Sequence, residues 1–196
     1  MTGRRLKTMS IVAGVVFAGL ALLSWTQTWF VVVLGGQAAG HAPIAADGSV
    51  GAPAVSALAL ACLAGIGAMA ISGPFFRAVL AVLQLVIGAC IVLSAALALS
   101  SPVSAVLSLV TEATGVAGTG PAAELIDSVA ATVWPWASLL SGALLAALGI
   151  VILATGRRWP GSSRKYQPVR LEEAEGSDSA VSDWDSLSGG SDPTSR

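Results

Sequence analysis

The sequence predicts an all-α integral membrane protein: a four-helix bundle followed by a disordered cytosolic C-terminal tail. Three observations carry this. Of the 196 residues, 55% are hydrophobic and 11% are charged, whereas an ordinary soluble domain carries about 25% charged residues. Four apolar segments reach the roughly 20 residues that a helix needs to cross a hydrocarbon layer. After Arg158 the composition turns abruptly to Ser, Gly, Pro and acidic side chains.

The elements follow in order. Residues 1–8 form a basic N-terminus, and residues 9–156 form the membrane domain, with spans near 9–34, 54–73, 78–100 and 135–155. The first span, beginning "MSIVAGVVFAGLALLSWTQTWF", follows "TGRRLK" in the manner of a secretory signal. Its apolar run exceeds the roughly 7 to 15 residues of a signal core, so it is expected to stay as an anchor. The second, "AVSALALACLAGIGAMAISG", contains no charge. "GPFFR" (Gly73 to Arg77) supplies the reversal into the third span, since Gly and Pro end one helix and permit a tight turn. The fourth starts at Pro135, a residue tolerated in a first helical turn.

Charge sets the orientation. Arg4, Arg5 and Lys7 precede the first span, Arg77 lies in the hairpin, and Arg157, Arg158, Arg164, Lys165, Arg170 and Arg196 follow the fourth. The loops 35–53 and 101–134 contain no Lys or Arg. Cytoplasmic loops hold the excess of basic residues. Both termini are therefore expected in the cytoplasm, with both basic-free loops outside. Loop 101–134 is too long for a bare connection. "SAVLSLVTEATG" and "GPAAELIDSVAATVW" place apolar residues at helical spacing, with Leu125, Ile126, Val129 and Val133 on one face. They predict one or two short surface helices, or alternatively a last span that starts near Ala122 and kinks at Pro135.

Residues 157–196 cannot bury enough apolar surface to offset their ordering entropy, which predicts disorder. The segment "RRWPGSSRK" suits anionic headgroups, while the acidic remainder is repelled by the same surface. The acidic formal charge of -1 argues against nucleic acid as a partner, because such binding requires a basic face.

Chemistry-bearing residues are sparse. No Asp, Glu, Lys, Arg or His interrupts the spans beyond the N-terminal flank, which weakens the case for a proton-coupled pump. His41 beside Asp47 makes no metal set; no cofactor is implied, and the chain reads as a non-enzyme. Cys62 and Cys90 sit near mid-span and read as small packed hydrophobes. Gln84 needs a partner helix, because lipid offers its amide none. Ser138, Gly142 and Ala146 form a small-residue stripe suited to close helix approach, and Ala57, Ala61 and Gly65 form another; a partner helix could come from the same chain or from a second copy. Trp25 and Trp29, one turn apart on an extended first helix, and Trp134 and Trp136 all fall at the outer edge. Either they form an interfacial aromatic belt, or with Gln27 they form an outer aromatic cluster that holds an amphipathic ligand. Trp184 between Asp183 and Asp185 reads either as a short docking element in the tail or as an apolar residue without a role in a floppy segment.

Four pieces of sequence together, "LALLSWTQTWF", "VWPW", "RRWPGSSRKYQ" and "DWDSLSGGSDPTS", resemble the tryptophan-operon-associated bacterial membrane proteins. This Trp-rich family is often encoded beside tryptophan-biosynthesis genes. The resemblance covers most of the chain and implies a four-span membrane protein associated with tryptophan synthesis, not an activity. The expected function is that of a non-enzymatic accessory or interaction protein, with the lipid bilayer and a cytosolic protein docked on the tail as partners. The alternative is a transporter or exporter component for tryptophan or another indole-like compound.

Overall fold

The structure, a computed structural model, describes residues 3–35, 42–116 and 118–156. His41 and the tail, including Asp183, Trp184 and Asp185, lie outside these residues. In chain order the elements are α1 (Gly3–Trp25), β1 (Thr28–Leu34), β2 (Ile44–Asp47), the single turn α2 (Gly48–Gly51), α3 (Ala54–Ile71), α4 (Pro74–Ser100), α5 (Pro102–Thr114), α6 (Thr119–Glu124), β3 (Ile126–Ala131) and α7 (Trp134–Thr155). Helices α1, α3, α4 and α7 are each long and apolar enough to cross a membrane, so the chain is a helical, multi-pass membrane protein.

The ends of these helices are paired by hydrogen bonds. Lys7 Nζ donates to the Ala70 carbonyl at 2.7 Å, setting the start of α1 beside the end of α3. Arg77 donates Nη1 to the Gly156 carbonyl at 2.9 Å and Nη2 to the Ser72 carbonyl at 3.2 Å. A helix C-terminus leaves carbonyls without intrahelical donors and carries partial negative charge, so a cation there satisfies both. Arg77 is only 2% exposed. It was expected in the hairpin loop, but the reversal contracts to Ser72 and Gly73, and Pro74 opens α4 within its first turn. That shift carries Arg77 into the helix and between two helix ends.

At the centre α4 and α7 meet backbone to backbone. A Cβ added at Gly88 would lie 2.5 Å from the Ala146 nitrogen and 2.7 Å from the Gly142 carbonyl oxygen. One added at Gly142 would lie 2.9 Å from the Gly88 oxygen, and one at Gly149 2.8 Å from the Ala81 oxygen. Such contact maximises dispersion where lipid provides no hydrophobic drive between helices. The Ala57, Ala61 and Gly65 stripe plays no such part. Ala57 and Ala61 are exposed, a Cβ on Gly65 would meet nothing within 4 Å, and α3 instead buries Val55, Ala59, Cys62, Ile66 and Met69.

The expected first span, 9–34, is a helix only to Trp25. Polar residues stop it: Thr26 Oγ1 donates to the Leu23 carbonyl at 2.8 Å, and the Gln27 N–H donates to the Ser24 carbonyl at 3.1 Å. "TWFVVVL" then forms strand β1, as its β-branched and aromatic content favours. The helix begins early enough that Arg5–Trp25 still supplies 21 residues of spanning length. β1 is the middle strand of an antiparallel sheet ordered β2-β1-β3. Together with α2, α5 and α6, this sheet caps one end of the bundle, adding a small α/β element to a mostly helical fold.

The second expected loop helix is present only as the short α6, which ends at Glu124. Ile126–Ala131 is strand β3, and its three-residue apolar spacing has a different cause. Leu34 pairs with Ile126 but Val33 pairs with Ser128, so Asp127 is an extra residue in β3. A bulge of this kind shifts the inward alternation by one position. Ile126 and Val129, three apart, thereby become the half-buried residues of the strand.

The glycine contact generates a prediction. Gly88→Val should destabilise the protein by about 3 kcal/mol, because the obstructing atoms are backbone and overpacking of this kind is costly. Gly65→Ala should change stability by less than about 1 kcal/mol, in the favourable direction. Thermal unfolding in detergent micelles checks both.

Candidate functional site

The sharpest sequence feature, "SWTQTWF", occupies the junction between α1 and the cap. Trp29 is the extra residue of a second bulge: Thr28 pairs with Asp47, and Phe30 pairs with Ala46. In a regular strand consecutive side chains point to opposite faces. Here the bulge re-aims one of them, and Trp29 and Phe30 are both 0% exposed. Their rings meet edge to face, with centroids 6.5 Å apart and planes at 71°, an arrangement that aromatic quadrupoles favour.

The turn after β2 shapes the seat for Trp29. A Cβ at Gly48 would lie 2.8 Å from Trp29 Nε1 and 2.7 Å from the Trp25 carbonyl oxygen, and one at Gly51 would lie 3.3 Å from Trp29 Cε3. Only glycine leaves room at Gly48. Trp29 Nε1 donates to the Ser24 carbonyl at 2.8 Å, and Ser24 Oγ donates to the Trp134 carbonyl at 2.6 Å. The Thr132 N–H donates to the Trp29 carbonyl at 2.9 Å, and Thr132 Oγ1 donates to the Thr28 carbonyl at 2.7 Å. One chain of bonds thus ties the end of α1, β1 and the start of α7.

The candidate aromatic residues separate into two groups. Trp25 and Trp134 are partly buried and pack against the cluster that contains Trp29. Trp136 is 59% exposed, on the outside of α7. Gln27 donates Nε2 to Thr26 Oγ1 at 3.1 Å and gives its carbonyl to the Gly48 N–H. The Trp25 indole N–H is buried with no hydrogen-bond partner among the described residues. Trp29 lies on a strand and not on the helix face shared with Trp25, so the one-turn spacing expected for the pair does not apply.

Of the helix-packing candidates, Gln84, Gly142 and Ala146 lie along the α4–α7 contact. Gln84 is 4% exposed and donates Nε2 to the Leu145 carbonyl at 3.4 Å. Ser138 is fully buried, and Gly142 and Ala146 line the approach of Gly88. Cys62 is buried, Cys90 half-buried, and both are free thiols. Sequence reasoning missed Gly48 and Gly51 as the residues that complete the tryptophan seat. The signal available was the pair of glycines in "DGSVG", three residues apart after an acidic turn residue.

With this junction in view, the comparison with known proteins decides the family. The chain matches the family described as tryptophan-associated transmembrane protein over residues 11–194. It belongs to that family. No curated protein and no solved structure matches it. Among the described residues of this tryptophan-associated transmembrane protein, Trp29 is the fully buried tryptophan, enclosed by the chain's own turn.

Trp29→Ala should cost about 3–5 kcal/mol, the range for removing a large buried aromatic. Trp136→Ala should cost less than about 0.5 kcal/mol, as at other surface positions. Comparing the unfolding midpoints of both variants in micelles tests the assignment.

Proposed function

We propose that the chain is a non-enzymatic membrane accessory protein, linked to tryptophan metabolism, that anchors a partner-binding tail. The reading rests most on the direct backbone contact of α4 with α7 at Gly88, Gly142 and Gly149. This contact fills the middle of the bundle and suits an anchor better than a path. In the cap, Trp29 is committed to the interior and Trp136 points away from it, which gives the transporter reading less support. The tail 157–196 docks a cytosolic protein through Asp183, Trp184 and Asp185.

The orientation belongs to the same proposal. Lys7 and Arg77 share one end of the bundle with Gly156, the residue from which the tail departs. The excess of basic residues supports assigning that end to the cytoplasmic side of the bacterial plasma membrane. The sheet and α5 then face the other side.

Affinity capture from native membranes tests the docking role. The full chain should retain a cytosolic protein that is lost on truncation after Lys165 and on Trp184→Ala, while Trp136→Ala has no effect. Capture that survives truncation would overturn it, and altered tryptophan flux in proteoliposomes would favour the transporter reading instead. Orientation is checked separately in a chain lacking Cys62 and Cys90. A thiol reagent that does not cross membranes should label Ser49→Cys from outside intact cells, and should label Ser177→Cys only after lysis.

A further inference from the structure

A groove of about 460 Å³ opens on the flank of the bundle where α3 begins and α4 ends. This lies within the roughly 300 to 1,000 Å³ that small-ligand sites occupy. Ser94, Leu97, Ala98 and Ser101 of α4 form one wall, Ala52 and Ala54 the other, and Ser104 and Ala105 of α5 close the cap side. From Ser94 to Ser101 the α4 wall runs about 10 Å along the helix axis. One end of the groove therefore sits under the cap and the other within the membrane-spanning part of α4.

The lining has a definite chemistry. It contains no charged side chain, so nothing in it would hold a charged metabolite out of water. Within the spanning part, Ser94 spends its hydroxyl on the Cys90 carbonyl at 2.9 Å; the wall there presents small alkyl groups. Leu97 lines the groove while remaining 60% exposed, and Leu93, one turn away, is 58% exposed. These leucines belong to the apolar surface that a spanning helix turns to lipid, so the groove is continuous with the lipid-facing surface. The two serines at the α4–α5 junction, Ser101 and Ser104, are the polar residues at its cap end.

We propose that this groove is a lipid site that holds one acyl chain of a membrane phospholipid. The chain enters from the bilayer flank and lies along Ser94–Ser101, while the glycerol end meets Ser101 and Ser104. Because the lining is uncharged, the site selects by chain and not by headgroup.

Photo-crosslinking tests the site. The full-length protein is reconstituted in phosphatidylethanolamine and phosphatidylglycerol vesicles doped with phosphatidylethanolamine that carries a diazirine on its acyl chain. After illumination, peptide mass spectrometry should find adducts concentrated in 51–54 and 94–105, several-fold above those at Leu60 and Leu140, which are exposed elsewhere on the helices. Ala54→Phe and Ser104→Phe fill the groove from exposed positions, and unfolding midpoints verify that both variants fold. Each should lower the groove adducts about tenfold, equivalent to about 1.4 kcal/mol, with labelling at Leu60 and Leu140 unchanged. Even labelling around the bundle would overturn the proposal, as would groove adducts that persist in both filled variants.

Discussion

A carbonyl at the end of a membrane helix has no intrahelical donor, and lipid supplies none. The architecture answers this constraint at both ends of the bundle. At the basic end, long cationic side chains reach across to neighbouring helices: Lys7 to Ala70, and Arg77 to both Ser72 and Gly156. At the capped end a neutral group serves the same need, with the Trp29 indole N–H donating to the Ser24 carbonyl near the end of α1. The cap follows from the second solution. Once α1 stops at Trp25, the extended chain beyond it needs backbone partners, and β2 and β3 provide them on either side of β1.

The two kinds of packing in the chain are complementary. Between α4 and α7 the contact is made by what is missing, since Gly88, Gly142 and Gly149 bring main chains together. At the junction with the cap it is made by bulk, since Trp29 and Phe30 fill the interior and Gly48 and Gly51 retreat to admit them. Close helix approach gains dispersion without needing water as a driving force. The cap lies beyond the helix ends, and there burial of aromatic area contributes directly.

The spanning helices were legible because a charge-free apolar run of sufficient length has few alternatives. Of the small-residue stripe on α7, Gly142 and Ala146 lie against Gly88 of α4. The sheet was not legible, for reasons that differ by strand. In "TWFVVVL" the apolar run resumes directly after Thr26 and Gln27, and periodicity cannot distinguish a short buried strand from a helix segment. In β3 a bulge at Asp127 gives a strand the three-residue spacing of a helix. The Ala57, Ala61 and Gly65 stripe matched a packing pattern but faces away from the chain's other helices. Arg77 read as a loop charge because the turn proved two residues long, and a helix-capping role depends on which ends meet in three dimensions.

The pairing of Phe30 with Ala131 has a consequence for how the protein is made. During synthesis β1 emerges early and can join β2, whose following turn already contains the glycines that seat Trp29. The other edge of β1 must wait while two further helices insert and α5 and α6 emerge. β3 then arrives directly ahead of α7, and the carbonyl that receives Ser24 belongs to the first residue of that last helix. Insertion of the final helix and closure of the sheet are therefore coupled steps, and a nascent chain halted before α7 retains an open strand edge of the kind that invites mispairing.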